Sequence, residues 1–208
     1  MNYKTIANDG IVEEDIKKSR FICHLKRVES EEEGRDYIAQ IKKEHHKANH
    51  SCSAMIIGED SQLKRSSDDG EPSGTAGVPM LTVLEKQGVT NVVAVVTRYF
   101  GGIKLGAGGL IRAYSGSVAH ALEEIGKVEV KELSGLTVYM SYSQYQTFSN
   151  FLEAEGLQEH DTQFLSDVTT TLYVDDENLP HLQETLIDFY QGKIRFEESG
   201  SRVVELPL

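Results

Sequence analysis

The sequence predicts a two-domain α+β protein, and three observations carry that reading. Charge is unevenly spread: residues 1–133 hold 18 Lys+Arg and 20 Asp+Glu, net −2, whereas residues 134–208 hold 3 and 13, net −10. Glycine is uneven too, with ten of the 18 lying between Gly70 and Gly116. The last 75 residues alternate as β-α-β-β-α-β, the split βαβ or ferredoxin-like order. A chain of 208 residues fits one or two domains of roughly 100–200 residues each. The boundary falls near Glu132–Gly135, giving domains 1–133 and 134–208.

In the first domain Lys4–Ala7 is extended and Asn8-Asp9-Gly10 is a turn signal, so the chain is expected to open as a hairpin onto a strand over Ser19–Val28. Ser30 followed by Glu33 is a capping box. The helix it opens is expected to reach about Lys47, with Tyr37, Ile38 and Ile41 on one face. Cys52–Gly58 reads as a buried strand, with Gln62–Ser67 returning beside it. Asp68–Gly77 is too rich in Gly, Pro, Ser and Asp to be regular. A helix follows, tolerating Pro79 in its first turn, with Thr75 as a candidate cap. Asn91–Phe100 is apolar on both faces and therefore central. Gly101–Gly109 turns into a helix over roughly Ala107–Ile125.

In the second domain Leu136–Tyr142 is a strand, and Ser143 is placed to cap a helix burying Tyr145, Phe148, Phe151 and Leu152. Strands are expected near Gln158–Phe164 and Asp167–Val174. Leu179, Leu182, Leu186 and Phe189 form a helical stripe, and Arg195–Leu206 closes the sheet.

Composition excludes several classes. Hydrophobic residues make up 39% and charged residues 26%, with mean hydropathy −0.36, which suits a protein with a real core. The longest apolar run, Val92–Val96, is five residues; a membrane-spanning helix needs about 20. The N-terminus shows no basic-then-apolar leader, and two cysteines make no disulfide framework, so a cytoplasmic protein with reduced thiols is expected. A net charge of −12 argues against a chain coated all over by nucleic acid.

The informative segment is Val92–Gly116, a buried strand, a glycine-rich turn and a helix. Such a turn leaves backbone N–H groups uncovered at a positive helix end, and Arg98, Lys104 and Arg112 lie near enough in sequence to add charge. Gly101, Gly102, Gly106, Gly108 and Gly109 serve either of two purposes, exposing amides to an anion or letting helix pack closely on sheet. Ala107-Gly108 stands where a Walker loop needs Lys-Ser/Thr, and the dinucleotide fingerprint is broken at Ile111. Tyr99, beside Arg98, reads as core or as a surface partner of the same site. The second cluster is Asp68-Asp69-Gly70-Glu71-Pro72-Ser73-Gly74-Thr75. Its three carboxylates could hold a cation or act as acid and base, and the same residues are those of any tight loop. His45, His46, His50 and Cys52 lack metal-ligand spacing, so no metal is read there and His50 is taken as a surface donor. No cofactor motif is present.

The pair Asp68-Asp69-Gly70-Glu71-Pro72-Ser73-Gly74-Thr75-Ala76-Gly77 and Arg98-Tyr99-Phe100-Gly101-Gly102-x-Lys104-Leu105-Gly106 with Gly108-Gly109-Leu110 resembles the Impact family, in its bacterial branch. His50-x-Cys52-x-Ala54 fits the same pattern, and the likeness covers roughly residues 18–126. It implies that the first domain has the α/β sandwich of the second domain of ribosomal protein S five, with a left-handed βαβ crossover. It implies further that the second domain is similar to the last domain of elongation factor G, a ribosome-contacting element. Eukaryotic relatives restrain the amino-acid-starvation kinase pathway that controls translation initiation, largely through an N-terminal RWD domain. This sequence opens almost at the family domain, so that role is not expected to transfer.

The expected function is therefore that of a translation-linked regulator or ribosome- or RNA-associated binding protein, with the first domain contacting RNA or another phosphate-bearing ligand. The acidic second domain is expected to repel phosphate and to meet a basic protein or a second copy of the chain. The alternative is an enzyme acting on a phosphorylated small molecule, with Asp68, Asp69 and Glu71 facing the glycine-rich turn.

Overall fold

The computed structural model describes all 208 residues. The chain forms two compact units, Met1–Val130 together with Glu205–Leu208, and Lys131–Val204. Both are mixed α and β, so the two-domain α+β class holds.

The elements of the first unit are β1 (Asn2–Ile6), β2 (Gly10–Ile16), β3 (Ser19–Arg27), α1 (Glu31–Glu44), β4 (His50–Ile57), β5 (Leu63–Ser67), α2 (Gly77–Lys86), β6 (Val92–Tyr99) and α3 (Gly106–Ile125). A five-stranded antiparallel sheet runs β2-β3-β6-β4-β5. β6 sits at its centre because its side chains are apolar in both directions. Val92, Ala94 and Val96 join Phe21, Met80, Leu84 and Tyr114 under α2 and α3, while Val93 and Val95 join Ile41 and Met55 under α1. Helices thus cover both faces.

The opening hairpin differs from the expectation. The strand paired with β3 is β2, in register from Gly10↔Leu25 to Ile16↔Ser19, and β1 instead hydrogen-bonds to β7 (Lys127–Met140). β2 alternates between half-buried and exposed positions, but its residue types do not follow: Ile11 is 63% exposed and Glu14 is half-buried. Its two-residue turn is Lys17-Lys18, both at positive φ (46° and 66°), where the usual signal is Asn or Gly. At α1 the cap is as expected on one side: Ser30 Oγ accepts from Glu33 N (3.2 Å). The Glu33 carboxylate reaches one residue further back, to Glu29 N (2.8 Å).

The second unit runs from β7 through α4 (Tyr142–Tyr145), α5 (Phe148–Glu155), β8 (His160–Phe164), β9 (Val168–Val174) and α6 (Leu179–Phe189) to β10 (Arg195–Pro207). Its strands order as β10-β7-β9-β8, the fourth, first, third and second of the βαββαβ series. Ser141, not Ser143, caps the first helix, in a reciprocal pair with Gln144, and the helix restarts at Phe148. Leu136, Val138, Met140, Val168 and Leu172 face Phe148, Phe151, Leu179, Leu182 and Leu186 in a closed core; Phe189, at the end of the expected stripe, is 40% exposed. Strand alternation puts Gly135, Thr137 and Tyr139 with Thr169, Thr171 and Tyr173 on the sheet face away from that core.

Candidate functional site

Alternation along β6 decides which motif residues meet. Arg98 turns toward α2 and α3, and Tyr99 toward α1, where its hydroxyl lies 2.7 Å from His45 Nδ1. Arg20 stacks over the Tyr99 ring at 5.9 Å. Tyr99 was expected beside Arg98 in one anion site; successive strand residues point to opposite faces, so the sheet stands between them.

The loop after β5 is shaped by its own acids. The Asp68 carboxylate accepts from Gly74 N (3.0 Å), Ala76 N (3.1 Å) and Gly77 N (2.8 Å), closing the start of α2. Thr75 does not cap that helix; its hydroxyl donates to the Pro72 carbonyl (2.6 Å). Asp69 accepts from Ser51 N (2.7 Å) and Lys42 Nζ (3.0 Å). Gly70, at φ 86°, turns the chain between Asp69 and Glu71, and Ser73 is an exposed position of the loop. Cys52 Sγ donates to the Asp68 carbonyl (3.0 Å). Burial raises this thiol to about 12, which keeps it protonated at neutral pH.

Partial burial pushes the two aspartates upward, yet the loop amides around Asp68, and Ser51 N–H with Lys42 at Asp69, outweigh it and hold both carboxyls below the ordinary value. A carboxyl depressed in the folded state contributes its stability in full above the unfolded pKa and loses it as pH falls through the folded one. The wild type is therefore expected to lose stability below the ordinary aspartate pKa of 3.8 more steeply than Asp68→Asn. Denaturant midpoints measured between about pH 4 and pH 2 test this, and parallel profiles would show that Asp68 is not the group responsible.

Glu71 is the acid that enters the protein. It is 6% exposed, and its Oε1 accepts from Arg98 Nη1 (2.7 Å) and the Tyr114 hydroxyl (3.0 Å). His50 Nε2 lies 3.3 Å from the same oxygen. His50 Nδ1 donates to the Asp69 carbonyl (2.9 Å), since a carbonyl only accepts, so the Glu71 contact is an ion pair when the ring carries both protons. Burial first, then Cys52 and Glu71, pushes the Tyr114 hydroxyl far above its usual range and fixes it as a donor. The Arg98 guanidinium lies between the Phe21 and Phe100 rings, at 5.6 and 5.3 Å. Arg98 was expected as a cation open to a ligand; its charge is already matched by Glu71.

These groups form the floor of a cavity of about 420 Å³ whose walls include Asn49, Phe100, Lys104, Leu105, Gly106 and Ala107. That volume suits a small ligand or one unit of a polymer. The glycine turn is open: Gly101, Gly102, Lys104, Gly106 and Gly108 are exposed. No side chain caps α3 and no acid stands in its first turn, so its first N–H groups and the positive end of its dipole point outward. Gly106, at φ 74°, makes the entry. Gly101 serves packing instead, since a Cβ there would lie 1.8 Å from the Lys18 carbonyl oxygen. A Cβ on Gly109 would stand 3.0 Å from Leu105 Cβ, a second close approach. Arg112 is exposed on the next turn, its guanidinium near Gly108.

Glu71, His50, Arg98, Lys104 and Gly106 thus share one cleft, whereas Asp68 and Asp69 are not among its lining residues. Sequence reasoning missed Tyr114, Asn49 and Ser19, whose Oγ accepts from Arg98 Nε and Gly101 N (both 3.4 Å). Tyr114 is 43 residues from Glu71, and only the need of a buried carboxylate for donors hints at it.

Comparison with known proteins follows this geometry. A family model described as the Impact N-terminal domain matches residues 17–122, and one described as a domain of unknown function matches residues 138–193. IMPACT family member YvyE of Bacillus subtilis is 44% identical over 204 residues, covering 98% of this chain and 94% of the relative. An IMPACT family member of Haemophilus influenzae is 36% identical over 94% of this chain and 92% of its own. A solved structure described as that of a hypothetical protein aligns over 96% of this chain and 98% of its own, with TM-score 0.61 and 33% identity.

Proposed function

Since the chain belongs to the Impact family, we propose that it is a translation-linked regulatory protein of the cytoplasm that binds RNA or another phosphate-bearing ligand through the cleft of its first unit. The translational link is the one the family resemblance implies. The observation that carries the binding reading is the open, uncapped start of α3 with Lys104 beside it in the cleft wall. Neither Lys104 nor Arg112 is paired with a carboxylate, so both charges are available to phosphate oxygens.

Counterion release tests the cleft. Each phosphate neutralised on a single strand contributes about 0.7 to the slope of log affinity against log salt. The double variant Lys104→Ala/Arg112→Ala is expected to flatten that slope by about 1.4 for a single-stranded RNA. An unchanged slope would show that neither Lys104 in the cleft wall nor Arg112 on the next turn of α3 meets phosphate. Recovery of ribosomal RNA with the protein from lysate, and its loss on RNase treatment, would tie the binding to translation.

The enzyme reading has one supporting observation, that Glu71 lines the same cleft as Lys104. Against it, Asp68 and Asp69 are committed to loop amides and to Lys42, and Glu71 is held by Arg98 and Tyr114. Binding is the better-supported use of the cleft.

A further inference from the structure

The second unit carries 13 Asp+Glu and only four Lys+Arg over Lys131–Val204, and an average of that kind speaks against nucleic acid. The arrangement of the charges says otherwise. Both arginines of the unit, Arg195 and Arg202, lie against the sheet face that no helix of the unit covers, each over a tyrosine ring. Arg195 Cζ is 4.2 Å from the Tyr139 centroid and Arg202 Cζ 5.7 Å from that of Tyr173. His160 adds a third ring, 5.4 Å from Tyr173 and nearly perpendicular to it, and Arg202 Nη1 donates to His160 Nδ1 (2.9 Å).

The rings are set as platforms. Tyr173 pairs with Gly135 across the β7–β9 ladder; a Cβ at 135 would stand 2.2 Å from the Ser199 carbonyl oxygen and 3.1 Å from Tyr173 Cε1, so the missing side chain lets β10 close on the strand with the ring beside it. The Tyr139 hydroxyl donates to Glu197 Oε2 (3.3 Å), which anchors its edge. Thr137 bonds Thr171 and Ser199 between the two rings, at 3.2 and 2.7 Å, leaving a low, polar floor. Along the ladder Tyr139 and Tyr173 stand four residues apart, about 13 Å at ~3.3 Å per residue, a separation that takes more than one nucleotide.

We propose that this open face of the C-terminal sheet binds single-stranded RNA, with unpaired bases stacked between Tyr139 and Arg195 and between Tyr173 and Arg202. Aromatic side chains on the first and third strands of a βαββαβ sheet are the stacking positions of the RNA-recognition module, and guanidinium planes stack bases as well. Charge decides between RNA and a basic protein. A cationic partner would meet two arginines already seated on the rings, whereas a flat base slides between ring and guanidinium while the same arginines face its phosphates. The inference extends the RNA reading to a second surface, and each surface has its own variants.

Fluorescence anisotropy of the full chain with labelled octauridine is the test. Stacking is worth about 1–3 kcal/mol per base, so Tyr139→Ala and Tyr173→Ala are each expected to weaken binding by about 5- to 140-fold. Tyr139→Phe and Tyr173→Phe, which keep the rings, are expected to bind within about twofold of wild type. An octamer carrying 4-thiouridine, photocrosslinked to the wild type, is expected to label peptides holding Tyr139 or Tyr173, a readout that needs no variant to fold. A duplex of the same length should compete poorly, because its bases are already stacked on one another. Alanine variants that bind normally, labels confined to the cleft, or a duplex that competes equally would each overturn the proposal. So would a wild type that ignores octauridine and binds an octalysine peptide. If the Lys104/Arg112 pair alone alters binding, the cleft reading stands and this one falls; if the tyrosines alone do, the reverse holds.

Discussion

Glu71→Ala is expected to destabilise the first unit by about 3–5 kcal/mol, because it leaves the buried Arg98 guanidinium without its counter-charge and the Tyr114 hydroxyl without an acceptor. At typical urea m-values of about 1–3 kcal/mol/M, the midpoint should fall by roughly 2 M. The double variant Glu71→Leu/Arg98→Met, which removes both charges and keeps the volume filled, should recover much of the loss, since the cost lies in the orphaned partner. A Glu71→Ala protein within about 1 kcal/mol of wild type would mean that the pair is solvated in solution.

Gly101→Ala is the second large effect. The added methyl would stand 1.8 Å from the Lys18 carbonyl oxygen and 2.2 Å from its carbon. The obstacle is backbone and cannot rotate away, so the β2–β3 turn must move, at a cost of about 1–3 kcal/mol or more. Gly108→Ala, seven residues further on, provides the contrast: the nearest atom is the tip of the flexible Arg112 side chain at 3.4 Å. A helical alanine is favoured over glycine by up to about 1 kcal/mol, so this variant should be neutral or slightly more stable. Thermal melts of the two proteins side by side are sufficient. Equal behaviour would show that Gly101 is not a packing glycine.

What could be read without coordinates followed from periodicity and charge. The β6 segment announced itself as central because Val92–Val96 is apolar in both directions, and the acidic βαββαβ unit was legible from its two amphipathic helices and its four strand runs. β2 was not legible. Gly10–Ile16 turns Glu13 and Asp15 outward and carries exposed Ile11, and its turn uses two lysines where glycine or asparagine is the usual mark. The cap on α2 was assigned to Thr75 because a cap is sought next to its helix; Asp68 supplies it from nine residues before Gly77. In the candidate site the glycine turn and Lys104 were visible in sequence, but not whether the turn is open or packed, because glycine suits both. The pairing of Arg98 with Glu71 was not, because no local signal tells a buried carboxylate which cation it will meet across the fold. At the second unit the net charge, a sum over residues, carried no sign of where Arg195 and Arg202 sit, over the two tyrosine rings.

The two helices that begin beside the motifs resolve the same physical need in opposite ways. α2 has its leading amides closed by Asp68, a carboxylate the chain carries for the purpose, at 2.8–3.1 Å. α3 has no such internal guest and presents the same kind of donors to whatever arrives from solution. Asp68 at the start of α2 is therefore a built-in specimen of an oxyanion held by leading helix amides, the arrangement proposed for α3 and a ligand.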